Sequence, residues 1–210
     1  MSSTTLSQDA EVSRNLINDT LSAHRESIDA ITRHGGRPRR FPSTGVDRLQ
    51  IQRQATLIRF LSITESFCTA RLLTEIASLI PDTVSDHAAV QAMWDDSHDH
   101  ATGSWRGIKE AYYSWLAVPR KTWTQLFDLT NARNAVAHGH GHLTWKQQRG
   151  NRIELEDKLG KHKITVDGTR LVLTEETITH VAQFCRAFIL ELDTILKDKK
   201  AALAVAAATT

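Results

Sequence analysis

The chain has 210 residues, of which 40% are apolar, 26 are Lys or Arg and 24 are Asp or Glu. That much apolar material supports a substantial core and excludes a disordered chain, while a net charge of +2 excludes a global basic field, so any nucleic-acid contact has to come from local clusters. No apolar stretch is long enough to cross a bilayer and the first residues lack the basic-then-apolar order of a signal peptide, so a cytoplasmic protein without membrane contact is expected. Cys68 and Cys185 fall inside apolar helical runs, where free buried thiols of a reducing compartment are expected.

In chain order, Ala10, Ile17, Leu21, Ile28 and Ile31 share one face of an amphipathic helix from about Leu6 to Arg33, ended by Gly35 and Gly36. Arg37, Arg39 and Arg40, stiffened by Pro38, read as an exposed basic loop suited to phosphate contact or as a solvated turn. Thr44 with Asp47 resembles a capping box that opens a long helix to about Ile80, apolar on most sides from Leu57 to Leu79. Helices near Asp82 to Met93, from Ser104 to Ala117, and from Pro119 to His138 follow, with Asp95 to His100 expected as a solvated loop. The period then changes from helical to alternating. Ile153 and Leu155, Ile164 and Val166, and Leu171 and Leu173 suggest a small antiparallel meander with Asp167-Gly168 as a hairpin turn. From Thr174 a last amphipathic helix carries Ile178, Val181, Cys185, Phe188, Leu192 and Leu196 on one face. The expectation is a mainly α single domain over residues 1–200, with a β insertion at about 151–173 and an Ala-rich tail at 201–210.

The chemistry concentrates at the end of the helix that reaches His138. Leu126, Leu129, Val136 and Ala137 make an apolar stripe with Arg133 in its middle, where a helix built only to fold would carry Leu or Ala. Asn134 and His138, four residues apart, share a second face, and Gly139 is a candidate left-handed cap. Glu65 interrupts the stripe Ile58, Leu61, Cys68 and Leu72 of the long helix. Because an isolated charge in an apolar face is costly, Glu65 and Arg133 are expected to meet, or Arg133 to open into a polar cleft. His138 is placed to act as general acid or base, with the Asn134 amide able to orient its ring.

Arg133, Asn134, His138 and Gly139 form an Arg-Asn-x-x-x-His-Gly signature that resembles the HEPN superfamily, in particular its ribonuclease-like branch (RiboL-PSP-HEPN type). The order of elements from Leu6 to Lys197 agrees with it. The resemblance implies an HEPN-like helical bundle that forms a homodimer, brings two motifs together and cuts RNA without metal or other cofactor, as a toxin or anti-phage effector with a possible antitoxin or defence-system partner. Arg133, Asn134 and His138 would then be the active residues. A non-catalytic HEPN module that binds a nucleotide or a partner chain is the alternative reading.

His138, His140 and His142 form an alternating string that could hold zinc if extended, but a helix ending at Gly139 would split it. No metal is therefore expected, and His140 and His142 are read as an RNA-contacting rim. All five Trp fall between Trp94 and Trp145; Trp123 and Phe127 share the face of Asn134 and His138 and are candidate dimer anchors or stacking platforms, with core packing expected for at least three of the five.

Overall fold

The structure, a computed structural model, describes residues 5–35, 47–78 and 88–208. It is mainly α, with a two-stranded antiparallel hairpin inserted just before the final helix. In chain order come α1 (Gln8–Gly35), α2 (Arg48–Ala77), α3 (Ala88–Thr102), α4 (Trp105–Leu116), a 3-10 turn (Arg120–Trp123), α5 (Thr124–Gly139), α6 (Trp145–Arg149) and α7 (Arg152–Gly160). The hairpin strands β1 (Thr165–Asp167) and β2 (Arg170–Val172) lead into α8 (Glu175–Ala208). Two compact units are present: Met1–Ser13, Thr64–Thr124 and Phe188–Thr210 form the first, Arg14–Ile63 and Gln125–Ala187 the second.

In the first unit, Leu72 of α2, Ile108 and Tyr112 of α4, Trp123, and Leu192 of α8 are buried together as core residues. The Trp123 ring lies 5.1 Å from Tyr112 and edge-on to Phe188 at 5.4 Å, and the Tyr112 hydroxyl donates to the Cys68 carbonyl at 2.8 Å. Buried Asp193 collects the unit's polar interior. It accepts from the Ser7 amide at 3.0 Å and the Ser7 hydroxyl at 2.5 Å, and it pairs with Arg71 at 3.3 Å and Lys197 at 3.0 Å. Burial opposes its ionised form, but the hydrogen bonds from Ser7 and Lys197 outweigh that and hold the carboxyl below the usual range.

In the second unit, Ile17 and Leu21 of α1, Leu57, Phe60 and Leu61 of α2, and Leu126 and Leu129 of α5 are buried with the apolar side of the hairpin and α8. Leu171 pairs with Val166 across the hairpin, and Gly168 takes φ 59° in its turn. Gln50 brackets the end of β2: its amide donates to the Leu173 carbonyl at 2.6 Å and accepts from the Leu173 N–H at 3.1 Å, satisfying backbone groups a third strand would otherwise pair. Buried His24 joins α1 to Thr56 of α2 at 2.8 Å and to Glu175 of α8 at 3.0 Å.

Three expectations change. Ile153 and Leu155 lie in α7, not in a strand: Asn151 caps that helix by accepting from the Glu154 amide at 3.2 Å, and Glu154–Lys158 and Arg152–Glu156 pairs at 2.5 and 2.6 Å run along it. The helix leaves Ile153 exposed and buries Leu155. What pairs with β2 instead is the segment after α5, where Leu171 N donates to Gly141 O at 2.8 Å and Leu143 N to Thr169 O at 2.7 Å. Asp47 is itself the cap of α2, accepting from the Gln50 amide at 3.0 Å, and Thr44 lies outside the described residues, as do Asp82 and the basic loop of Arg37, Arg39 and Arg40. Asp95 to His100 is helical within α3, since the Ala-rich start carries the helix through the polar run. Cys68 and Cys185 are both free and buried.

Candidate active site

The motif occupies the last two turns of α5. The buried side of this helix is Leu126, Asp128, Leu129, Ala132 and Ala135, so the apolar stripe runs through Ala132 and Ala135 rather than Val136 and Ala137. At about 100° per residue this places Arg133 at the border of the buried arc. Arg133 and Asn134 are half-buried, and Ala137 and His138 are exposed. Arg133 bounds one edge of the open face and His138 the other, with the small side chain of Ala137 and the amide of Asn134 between them.

None of the three motif side chains makes a hydrogen bond or ion pair among the described residues. Half-buried Arg133 is not closed into a core, where its charge would be uncompensated, and it is not among the residues that line the cleft beside the motif. Glu65 is half-buried on α2 in the first unit, whereas Arg133 belongs to the second.

The chain leaves α5 by a tight left-handed turn, but the turning residues are His140 at φ 52° and Gly141 at φ 87°, not Gly139. Gly141 N donates to the Ala135 carbonyl at 3.1 Å, closing the helix end in the manner of a Schellman cap. A Cβ on Gly141 would meet only the movable end of the Gln54 side chain, so it is the backbone angle that favours glycine at this position. The turn separates the three histidines. His140 is exposed, and His142 is exposed with its Nδ1 at 3.0 Å from the Thr169 hydroxyl. Among the described residues no group of three or more His, Cys, Asp and Glu side chains could hold a metal ion.

Beside the motif, a cleft of about 380 Å³ is lined by Asn131 and Asn134 of α5, Lys146 and Gln147 of α6, and Glu154 and Lys158 of α7. Gln147 builds it. Its Nε2 donates to the Asn131 carbonyl at 2.9 Å while its Oε1 accepts from the Thr144 amide at 2.9 Å, a capping box that fixes α6 against the motif helix. Buried Asp128, one turn before the motif, is the residue this region adds: burial raises its carboxyl above the usual range against the pull of Lys161 and Lys158.

The aromatic expectations divide. Trp123 is fully buried in the first unit and offers no platform, because it precedes α5 in the 3-10 turn, where the helical phase of Asn134 and His138 does not extend. Phe127 is half-buried. Of the four Trp whose side chains are described, Trp105 and Trp123 are buried and Trp115 and Trp145 are exposed, while the side chain of Trp94 lies outside the described residues. Trp145 is 70% exposed and carries the Arg149 guanidinium over its ring at 4.3 Å. Among the described residues no helix is long and apolar enough to cross a membrane. Compared with protein-family models, with curated proteins and with solved structures, the chain matches none.

Proposed function

We propose that this protein is a metal-independent endoribonuclease of HEPN type, a toxin or anti-phage effector whose active site is completed by a second copy of the chain. The observation that supports it is a constellation: Arg133, Asn134 and His138 share the open face at the end of one helix, and all three side chains are left without an internal partner among the described residues. Polar groups kept unpaired in this way are available to a ligand.

The chemistry follows from the groups. One imidazole takes the proton from the ribose 2′-hydroxyl, the 2′-oxygen attacks phosphorus, and the bond to the 5′-oxygen breaks as a second imidazole gives that oxygen a proton. Arg133 offsets the charge that builds on the non-bridging oxygens, and Asn134 orients the substrate or the ring. One chain supplies one motif histidine, and two-fold symmetry supplies the second as an identical residue in the opposite protonation state. The 2′-hydroxyl requirement excludes DNA as substrate.

Purified protein should cut single-stranded RNA in EDTA and leave 2′,3′-cyclic phosphate ends, and His138→Ala should keep the fold and RNA affinity while losing cleavage. Wild-type and His138→Ala proteins that bind the same RNA equally and do no chemistry would replace this reading with a non-catalytic binding module. If the site is shared, excess His138→Ala subunits should depress wild-type activity more steeply than dilution once subunits exchange.

A further inference from the structure

We infer that the cleft at Asn134 and the adjoining face of α6 form a subsite for single-stranded RNA, with one base seated in the cleft and the neighbouring base stacked on Trp145. This inference rests on the reading of the α5 end as an RNA site and adds to it where the strand lies.

Four observations converge. The cleft, about 380 Å³, falls near the lower end of ligand clefts, about 300 to 1,000 Å³, a size for one nucleoside rather than a longer segment. Within it the Asn131 Nδ2 is spent on the Phe127 and Asp128 carbonyls, and both ends of the Gln147 amide on Asn131 and Thr144. The Asn134 amide has no partner among the described residues, so it presents both a donor and an acceptor to the edge of a base. Lys146, on the cleft wall, likewise has no ion pair among the described residues, in contrast to Lys158, which Glu154 holds at 2.5 Å. An unpaired ammonium beside an unpaired amide suits a phosphate next to a base.

The fourth observation is Trp145. Trp145 keeps 70% of its surface in water, and Arg149 stacks on its ring at 4.3 Å, leaving an open aromatic plane backed by a cation. That pairing is the composition of a base-stacking platform. The helix that carries it is fixed to the motif helix by Gln147. On α6, Lys146 separates the platform from the cleft, so a strand with one base at Asn134 passes its phosphate over Lys146 and lays the next base on Trp145. Only an unpaired strand can splay its bases apart in this way.

The test uses the 210-residue chain carrying His138→Ala, so that binding is read without cleavage, and a fluorescein-labelled single-stranded oligoribonucleotide of mixed sequence in an anisotropy titration. Trp145→Ala should weaken binding about tenfold, whereas Trp145→Phe should restore most of it. Lys146→Ala should lower the slope of log affinity against log salt by about 0.7. Trp145 lies on the surface, so thermal melts of these variants should match the parent. Equal affinities for the parent and Trp145→Ala overturn the subsite, even if the wild-type chain cleaves RNA. Trp145-dependent binding by a chain that cleaves nothing supports the subsite and removes the nuclease reading. Loss of self-association in Trp145→Ala with RNA affinity unchanged makes this face a protein interface and overturns the proposal. An RNA duplex bound as tightly as the single strand, with no dependence on Trp145, also overturns it.

Discussion

Acidification should destabilise this protein through one imidazole. His162, in the turn after α7, is 1% exposed, and neither ring nitrogen makes a well-aligned hydrogen bond, the Gln125 backbone offering at most a weak one. Burial, followed by the nearby His180, pushes its pKa from the usual 6.5 down to about 4. The folded state therefore resists a proton that the unfolded chain accepts readily, so stability is full above pH 6.5, declines from there to about pH 4 and is flat below. At pH 5 the loss from this group is about 2 kcal/mol, reduced to about 1 because the ring borders a cavity of about 320 Å³ open to solvent. Carboxylates held low, such as Asp193 and Glu175, lose their share only at more acid pH, since their folded values lie below the usual range. His162→Leu removes both the proton and two unsatisfied nitrogens, so it should match or exceed wild-type stability at pH 7.5 and lack the decline towards pH 5. Urea melts of both proteins across that range measure the difference, and a proton NMR titration should place the His162 ring near pH 4. Parallel stability curves for the two proteins from pH 7.5 to 5 would refute the reasoning.

Three other perturbations follow from the same physics. Asp193→Ala should cost about 3 kcal/mol in denaturant melts, because it removes the buried acceptor of Ser7 and one partner each of Arg71 and Lys197, although Arg71 keeps its ion pair with Glu75 at 2.7 Å; a loss under about 1 kcal/mol would show the cluster is solvated. Gly141→Ala should destabilise by about 1 kcal/mol through its positive φ, whereas His140→Gly should stabilise by about 0.5 to 1 kcal/mol by relieving a left-handed non-glycine residue, and thermal melts that reverse these signs would disprove the turn. Arg133→Ala should abolish RNA cleavage with little change in melting temperature, and its stability effect should add to that of Glu65→Ala within about 0.5 kcal/mol; a clear coupling energy would restore the buried pair.

The helices and the motif were legible because both depend on spacing along one helix. The 3.6-residue period places Asn134 and His138 on one face whatever packs against the other. The alternation at Ile153 and Leu155 misled because two apolar residues two apart fit a strand or a helix, and the deciding signal, the Asn151 cap with the ion pairs along α7, is electrostatic rather than apolar. The stripe through Arg133 shifted for a related reason. Ala132 and Ala135 count weakly as hydrophobic residues, yet their small side chains form the buried arc where α5 packs closely.

Trp145 was the least legible of the site residues, and the reason bears on how such sites are found. Nothing in the run from Thr144 to Arg149 distinguishes a solvated turn from a platform. The distinction lies in the Gln147 amide, which reaches back sixteen residues to the Asn131 carbonyl and holds the whole of α6 beside the motif. A capping box predicts that a helix begins at Trp145 but not where it is placed, and a side chain that bonds to a distant backbone carbonyl leaves no periodic trace in sequence. Under the proposed function the motif helix would supply the reacting groups through local spacing, which sequence records, whereas the surface that would guide a strand to them depends on one long-range hydrogen bond. Substitutions at Gln147 therefore act on Trp145, Lys146 and the cleft at once, without touching Arg133 or His138, which separates strand placement from chemistry within one site.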